Sequence, residues 1–253
     1  MNIRPNRIKQ KLAAGESAYV VGGLRHGDDI DKFGPVGFDG VWLEGEHGPV
    51  DFADISDLTR ACDLWGLTSI VRVNLNEQAV IYRTLDRGAQ GIAVPHVNTK
   101  AEAENVVQGG KFAPIGQRGL FVSRQGYGVE DYLEVANDQT LLMVLIEDIV
   151  AVQNLDEILS VDHIDVFFVA PSDLAASMGL IGQTSHPEVQ KTIDGALERI
   201  ISAGRVAGHL TSMNTVEKYA EMGVRVLFTI ADGWIDAGAK EFRSRAEAAT
   251  ASR

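Results

Sequence analysis

The chain has one cysteine, Cys62, so no disulfide can form within it. A reducing cytoplasm is the expected setting, with Cys62 as a small hydrophobe on the inner face of a helix. No apolar run approaches the roughly 18 residues of a membrane-spanning helix. The basic opening, Met1-Asn2-Ile3-Arg4-Pro5-Asn6-Arg7, is not followed by the apolar stretch of a secretory signal, and none is expected. Positive charge is scarce: 23 Lys and Arg stand against 35 Asp and Glu, a formal net charge of −12. A basic face for nucleic acid is thereby disfavoured. An anionic substrate would need local positive charge, such as a metal or an arginine. No GxGxxG follows the first apolar run, which weakens a dinucleotide-binding fold, and neither HExxH nor CxxC occurs, which weakens zinc. Linkers, low-complexity tracts and long repeats are absent too.

What is present is a regular alternation. The 253 residues are 45% apolar and 23% charged, ample for a full core, and are read as one domain, 1–253. Short apolar runs at 19–23, 40–43, 69–73, 91–94, 141–147, 166–169, 206–209 and 226–229 predict strands. Longer amphipathic runs at 52–65, 77–87, 100–109, 152–159, 187–203, 215–222 and 234–248 predict helices. Asn214 is placed to cap the helix at 215, Pro187 suits a first turn, and Gly88, Gly204 and Gly223 suit helix ends. The alternation predicts βαβ units, and eight strands predict an α/β fold of the (β/α)8 barrel type; a doubly wound open sheet is the alternative.

In such a barrel the loops after the strands build the active site. The polar residues there are Glu44, Glu46 and His47, then Arg72 and Asn74, His96, Glu147, Ser172 and Asp173, and finally His209 and Thr211. Glu147 and Asp173 each end an apolar run, at matching positions on successive strands. Two such carboxylates suit a hard divalent cation, with His96 or His209 as possible further ligands. Arg72 lies two residues after Ile70 and so shares its face of the strand, where a guanidinium can clamp a carboxylate. His47, between Gly45 and Gly48, can move a proton near neutral pH. The segment 118–128, rich in Gly, Ser and Arg, reads as a functional loop, and Arg124 within it is a candidate for the distal end of a substrate.

Trp42-Leu43-Glu44-Gly45-Glu46-His47-Gly48, Val71-Arg72-Val73, Leu85-Asp86-Arg87-Gly88-Ala89-Gln90-Gly91, Gly116-Gln117-Arg118-Gly119, Ile146-Glu147 and Ala170-Pro171-Ser172-Asp173-Leu174-Ala175 carry a further pattern. In this order they resemble the HpcH/HpaI aldolase family, class II pyruvate aldolases of the 4-hydroxy-2-oxoheptanedioate aldolase type. The resemblance runs from about Gly22 to Phe242. It implies a barrel with a divalent metal, Mg2+ or Mn2+ with Co2+ possible, held by Glu147 and Asp173. It also implies Arg72 on the substrate oxygen, a His47–Asp86 pair assisting the base, and the amides of Ser172 and Asp173 on the substrate carboxylate. The implied assembly is a hexamer, a trimer of dimers that exchange C-terminal helices, with 234–248 as the exchanged segment.

Two positions depart from the family pattern: Glu44 stands where relatives usually have aspartate, and Leu145 where many have glutamine. The activity implied is reversible cleavage of a 4-hydroxy-2-oxo acid to pyruvate and an aldehyde. A decarboxylase or other enolate-forming lyase is the first alternative, and a non-catalytic barrel binding an organic acid the second.

Overall fold

The eight apolar runs pair in order and close on themselves. The computed structural model describes residues 1–251. In it β1 (Ala18–Gly22), β2 (Gly40–Glu44), β3 (Thr68–Arg72), β4 (Gly91–Val94), β5 (Leu141–Ile146), β6 (Val166–Val169), β7 (Ala207–Leu210) and β8 (Val226–Ile230) form a closed parallel barrel, with β8 returning to β1. The open doubly wound sheet is therefore excluded.

Side-chain alternation sorts the strand residues into two cores. Val20, Trp42, Ile70, Ala93, Met143, Leu145, Phe168 and Phe228 point into the barrel. Val21, Leu43, Val71, Ile92, Val144, Phe167 and Leu227 point outward, against the helices. Those helices include α3 (Phe52–Leu64), α4 (Gln78–Asp86), α5 (Lys100–Gly110), α10 (Pro187–Ser202) and α11 (Val216–Met222). Cys62 lies on the buried side of α3, as its sequence context suggested.

Several short helices carried too little periodicity to be read from sequence: α1 (Arg7–Ala13), α2 (Gly27–Phe33), α6 (Tyr132–Gln139) and α9 (Pro171–Ser177). The helix expected at 152–159 is two pieces, α7 (Ile149–Gln153) and α8 (Leu155–Leu159), broken at Asn154, whose side chain donates to the carbonyl of Asn98. Asn214 does not cap α11. Thr215 holds that position, and the turn before it is closed by the hydroxyls of Ser212 and Thr215.

The lower end of the barrel is plugged by α1. Ile8 enters the inner core. Asn6, fully buried, caps α1 at Lys9 and donates to the carbonyls of Gln90 and Gln139. Asp39, also fully buried, pairs with Arg7 at 2.9 Å and Lys11 at 3.1 Å. The last helix, α12 (Asp232–Ala251), behaves differently: none of its residues is buried.

His209 faces outward from β7, its Nδ1 2.7 Å from the carbonyl of Val169 and its ring against Tyr219 of α11. Burial holds its pKa down at about 4, against an ordinary value of 6.5. As pH falls the unfolded chain is protonated first, so stability declines from about pH 6.5 toward pH 4, by up to about 3 kcal/mol. Urea midpoints at pH 7 and pH 5 should differ less in His209→Asn than in the parent; an unchanged difference would remove His209 as the cause.

Candidate active site

The strand C-termini open into a cavity of about 450 Å3. Its floor is the top layer of the inner core, Trp42, Leu145, Phe168 and Phe228. Trp42 stacks on Phe228 with ring centroids 4.7 Å apart and meets Phe168 at 5.4 Å. Leu145, one of the two departures from the family pattern, thus extends an apolar floor. The walls include Glu44, His47, Arg72, Ser172 and Asp173.

Arg72 ends β3 on the inward face, as its spacing from Ile70 predicted. Its Nε donates to both oxygens of Glu44, at 3.0 and 2.8 Å. Its two terminal nitrogens pair with Glu44 and Glu46, each at 2.8 Å. Glu44 also accepts from Trp42 Nε1 at 3.0 Å and from the backbone N–H groups of Glu46 and His47. Burial pushes the Glu44 carboxyl up, but these donors, Arg72 foremost, together hold it below the usual range. The loop folds this tightly because two positions lack a side chain. A Cβ on Gly45 would lie 2.7 Å from the Arg72 carbonyl oxygen, and one on Gly48 2.6 Å from that of Glu44.

Glu147 follows β5 with its side chain fully buried. Oε1 accepts from the His96 backbone N–H at 2.7 Å. His96 delivers that N–H from a φ of 52°, a left-handed conformation uncommon outside glycine. Oε2 is buried without a hydrogen-bond partner. Burial drives the Glu147 carboxyl above its usual range; His96 opposes this, and the charges of Asp173 and Glu46 add to the rise. Asp173 sits in the first turn of α9, after Ala170 at the N-cap and Pro171 at the first position. The N–H groups of Ser172 and Asp173 fall in the turn that lacks intrahelical acceptors.

A buried carboxylate oxygen without a partner, close to a second carboxylate, suits a hard divalent cation, whose charge would remove the desolvation penalty. Glu147 and Asp173 fit Mg2+ or Mn2+ on this ground. Among the described residues no group of three or more His, Cys, Asp and Glu is arranged to hold a metal, so the fit rests on these two.

Three expectations need correction. Asp86 does not meet His47 within this chain: its carboxylate accepts from Arg118 at 2.7 Å, in a separate cavity beside Arg83 and Arg87. His47 is instead a rim residue, its side chain 65% exposed and its Nε2 3.7 Å from Glu46. Arg124 lies outside the main cavity; it pairs with Asp63 at 2.6 Å and donates to Thr59 at 2.8 Å, pinning its loop to α3. His209, facing outward, is no ligand of the Glu147–Asp173 pair. Sequence reasoning assigned no role to Glu46, Trp42 or the His96 backbone. Glu46 stood in the family motif, and the two-residue spacing of Trp42 and Glu44 could have shown that both face inward; no signal marked the His96 amide.

This rim, on this fold, defines a (β/α)8-barrel enzyme with acids gathered around one arginine. The chain belongs to the HpcH/HpaI aldolase/citrate lyase family, whose profile matches residues 24–233, and is a carbon–carbon lyase. It is 37% identical to the hydroxypyruvate/pyruvate aldolase of Roseobacter denitrificans, over 82% of this chain and 83% of that one. It is 35% identical to the 5-keto-4-deoxy-D-glucarate aldolase of Escherichia coli O157:H7, over 88% and 89%. Among solved structures, an HpcH/HpaI aldolase/citrate lyase family protein from Burkholderia cenocepacia matches with a TM-score of 0.89 at 28% identity, covering 96% of this chain and 99% of that one.

Because Arg124 and Asp63 form a nearly buried pair, Arg124→Ala should cost about 3 kcal/mol in urea unfolding while leaving KM for a 2-oxo acid within about twofold. A large rise in KM with unchanged stability would return Arg124 to the substrate.

Proposed function

We propose that the protein is a divalent-metal-dependent class II aldolase that reversibly cleaves a 4-hydroxy-2-oxo acid to pyruvate, or a close 2-oxo acid, and an aldehyde. The observation that carries this reading is the partnerless, buried oxygen of Glu147 near Asp173, in a rim where Arg72 is fixed by two carboxylates. The aldolases to which the chain is similar across most of its length support it.

A bound Mg2+ or Mn2+ would supply Lewis acidity toward the keto group and the enolate that forms from it. Glu147 and Asp173 would hold that ion. Arg72, unable to swing away from Glu44 and Glu46, sets a fixed positive charge beside the developing oxyanion, so little reorganisation is needed when charge appears. The amides of Ser172 and Asp173 receive the substrate carboxylate at the start of α9. His47, at the exposed rim, carries the 4-hydroxyl proton toward solvent. The apolar floor keeps water from below the reacting carbons. Schiff-base chemistry has no support, since the residues lining the cavity include no lysine.

The same proposal covers assembly and setting. A 20-residue helix with no buried residue, and with Ile235 68% and Phe242 77% exposed, suits a segment exchanged between subunits of a hexamer built as a trimer of dimers. No described helix is long and apolar enough to cross a membrane, and the lone Cys62 suits the cytoplasm.

Pyruvate incubated with the enzyme and Mn2+ in D2O should lose its methyl proton signal, and chelator should stop the loss. Arg72→Ala should slow exchange at least about a hundredfold without unfolding the protein. No exchange by the parent with added metal would favour the barrel that only binds an organic acid. Phe242→Glu should lower the mass seen by light scattering; an unchanged mass would count against helix exchange.

A further inference from the structure

The cavity has a second polar pole that the chemistry above does not use. Arg25 follows β1 and Asp232 follows β8, and these strands are neighbours, with Gly22 opposite Ile230 in register. Both side chains line the cavity, more than half exposed, with Arg25 and Asp232 3.7 Å apart. In the closed ring this sector lies across from β4 and β5, and so from Glu147. The same cavity is lined by the apolar Leu210, Phe228 and Ile230. A substrate held by its 2-oxo acid end near Asp173 and Arg72 would extend its aldehyde half toward Arg25 and Asp232.

We propose that Arg25 and Asp232 select the aldehyde, favouring a short, uncharged, hydroxylated one over both an apolar and a carboxylated one. This assignment rests on the aldolase reading. Arg25 donates and Asp232 accepts, side by side, and a hydroxyl group can do both at once. An exposed ion pair of this length is weak and gives way to such a guest at little cost. A second carboxylate on the aldehyde would fare worse. The cavity walls carry two guanidiniums, Arg25 and Arg72, against three carboxylates, Glu44, Asp173 and Asp232. Arg72 is already engaged by Glu44 and Glu46, and a carboxylate brought to Arg25 would face the like charge of Asp232 beside it. An apolar aldehyde would strip water from both members of the pair and return no hydrogen bond, the loss that lets polar sites reject analogues lacking a hydroxyl.

The test compares glyceraldehyde, propanal and succinic semialdehyde as acceptors for pyruvate with the Mn2+-loaded enzyme, alongside pyruvate proton exchange in D2O. The parent should prefer glyceraldehyde by kcat/KM. Asp232→Val and Arg25→Leu should each lower kcat/KM for glyceraldehyde at least about tenfold, spare propanal, and leave proton exchange unchanged. The second variant guards against a disturbance of α12, which begins at Asp232. A parent that prefers propanal or succinic semialdehyde overturns the assignment, as does an unaltered preference in both variants while exchange persists. Absence of exchange in the parent overturns the aldolase reading itself, a separate result.

Discussion

Eight strands closed in a ring leave no edge, and that closure decides where every strand side chain goes. Each strand must send alternate residues inward, and the interior is only wide enough for side chains to fill it. Trp42, Phe168 and Phe228 fill its upper part, and the aromatic layer they form becomes the floor of the cavity. The same alternation that makes Ile70 a core residue makes Arg72 a rim residue, two positions on. Packing and chemistry are therefore set by one constraint, and a shift of register by one residue would lose both.

Charge at the rim is arranged as compensation in one place and as its absence in another. Arg72 is satisfied on several sides by Glu44 and Glu46, and the longer arm of Glu44 also reaches the Trp42 indole. That network turns a flexible side chain into a rigid one. Glu147 is the opposite case: burial, a single backbone donor and nearby acids leave it costly to ionise. The backbone of His96 is held in a sparsely populated conformation to supply that donor. Strain and an unsatisfied carboxylate in one place mark a site where stability has been yielded for function.

Much of this was legible in the sequence because strands and rim acids obey short periods. Every apolar run became a strand, with ends displaced by a residue or so, and Arg72 fell where strand parity placed it, whereas Asp173 lies beyond β6 in the first turn of α9. The misreadings have a common physical origin. Asp86 and Arg124 sit on helices and loops outside the barrel, where long side chains choose among several partners that sequence spacing does not reveal. Arg118 took the first and Asp63 the second. The short helices escaped notice because two turns give too few apolar positions to establish a period; α2, for example, buries only Ile30.

The plug at the barrel's lower end bears on the order in which the chain can be completed. Asn6 precedes β1, yet its side chain donates to the carbonyls of Gln90 and Gln139, and its backbone N–H to the Gln139 side chain. Those acceptors lie 84 and 133 residues further along the chain. The α1 segment therefore stays unpaired until the later strands are in place, and closing the bottom is a long-range event with a correspondingly high entropic cost. During that interval Ile8 is a free apolar side chain on a short helix unable to hold its shape alone. Chaperone contact before closure would find its natural handle there, on the one side chain of α1 that ends up fully buried in the inner core.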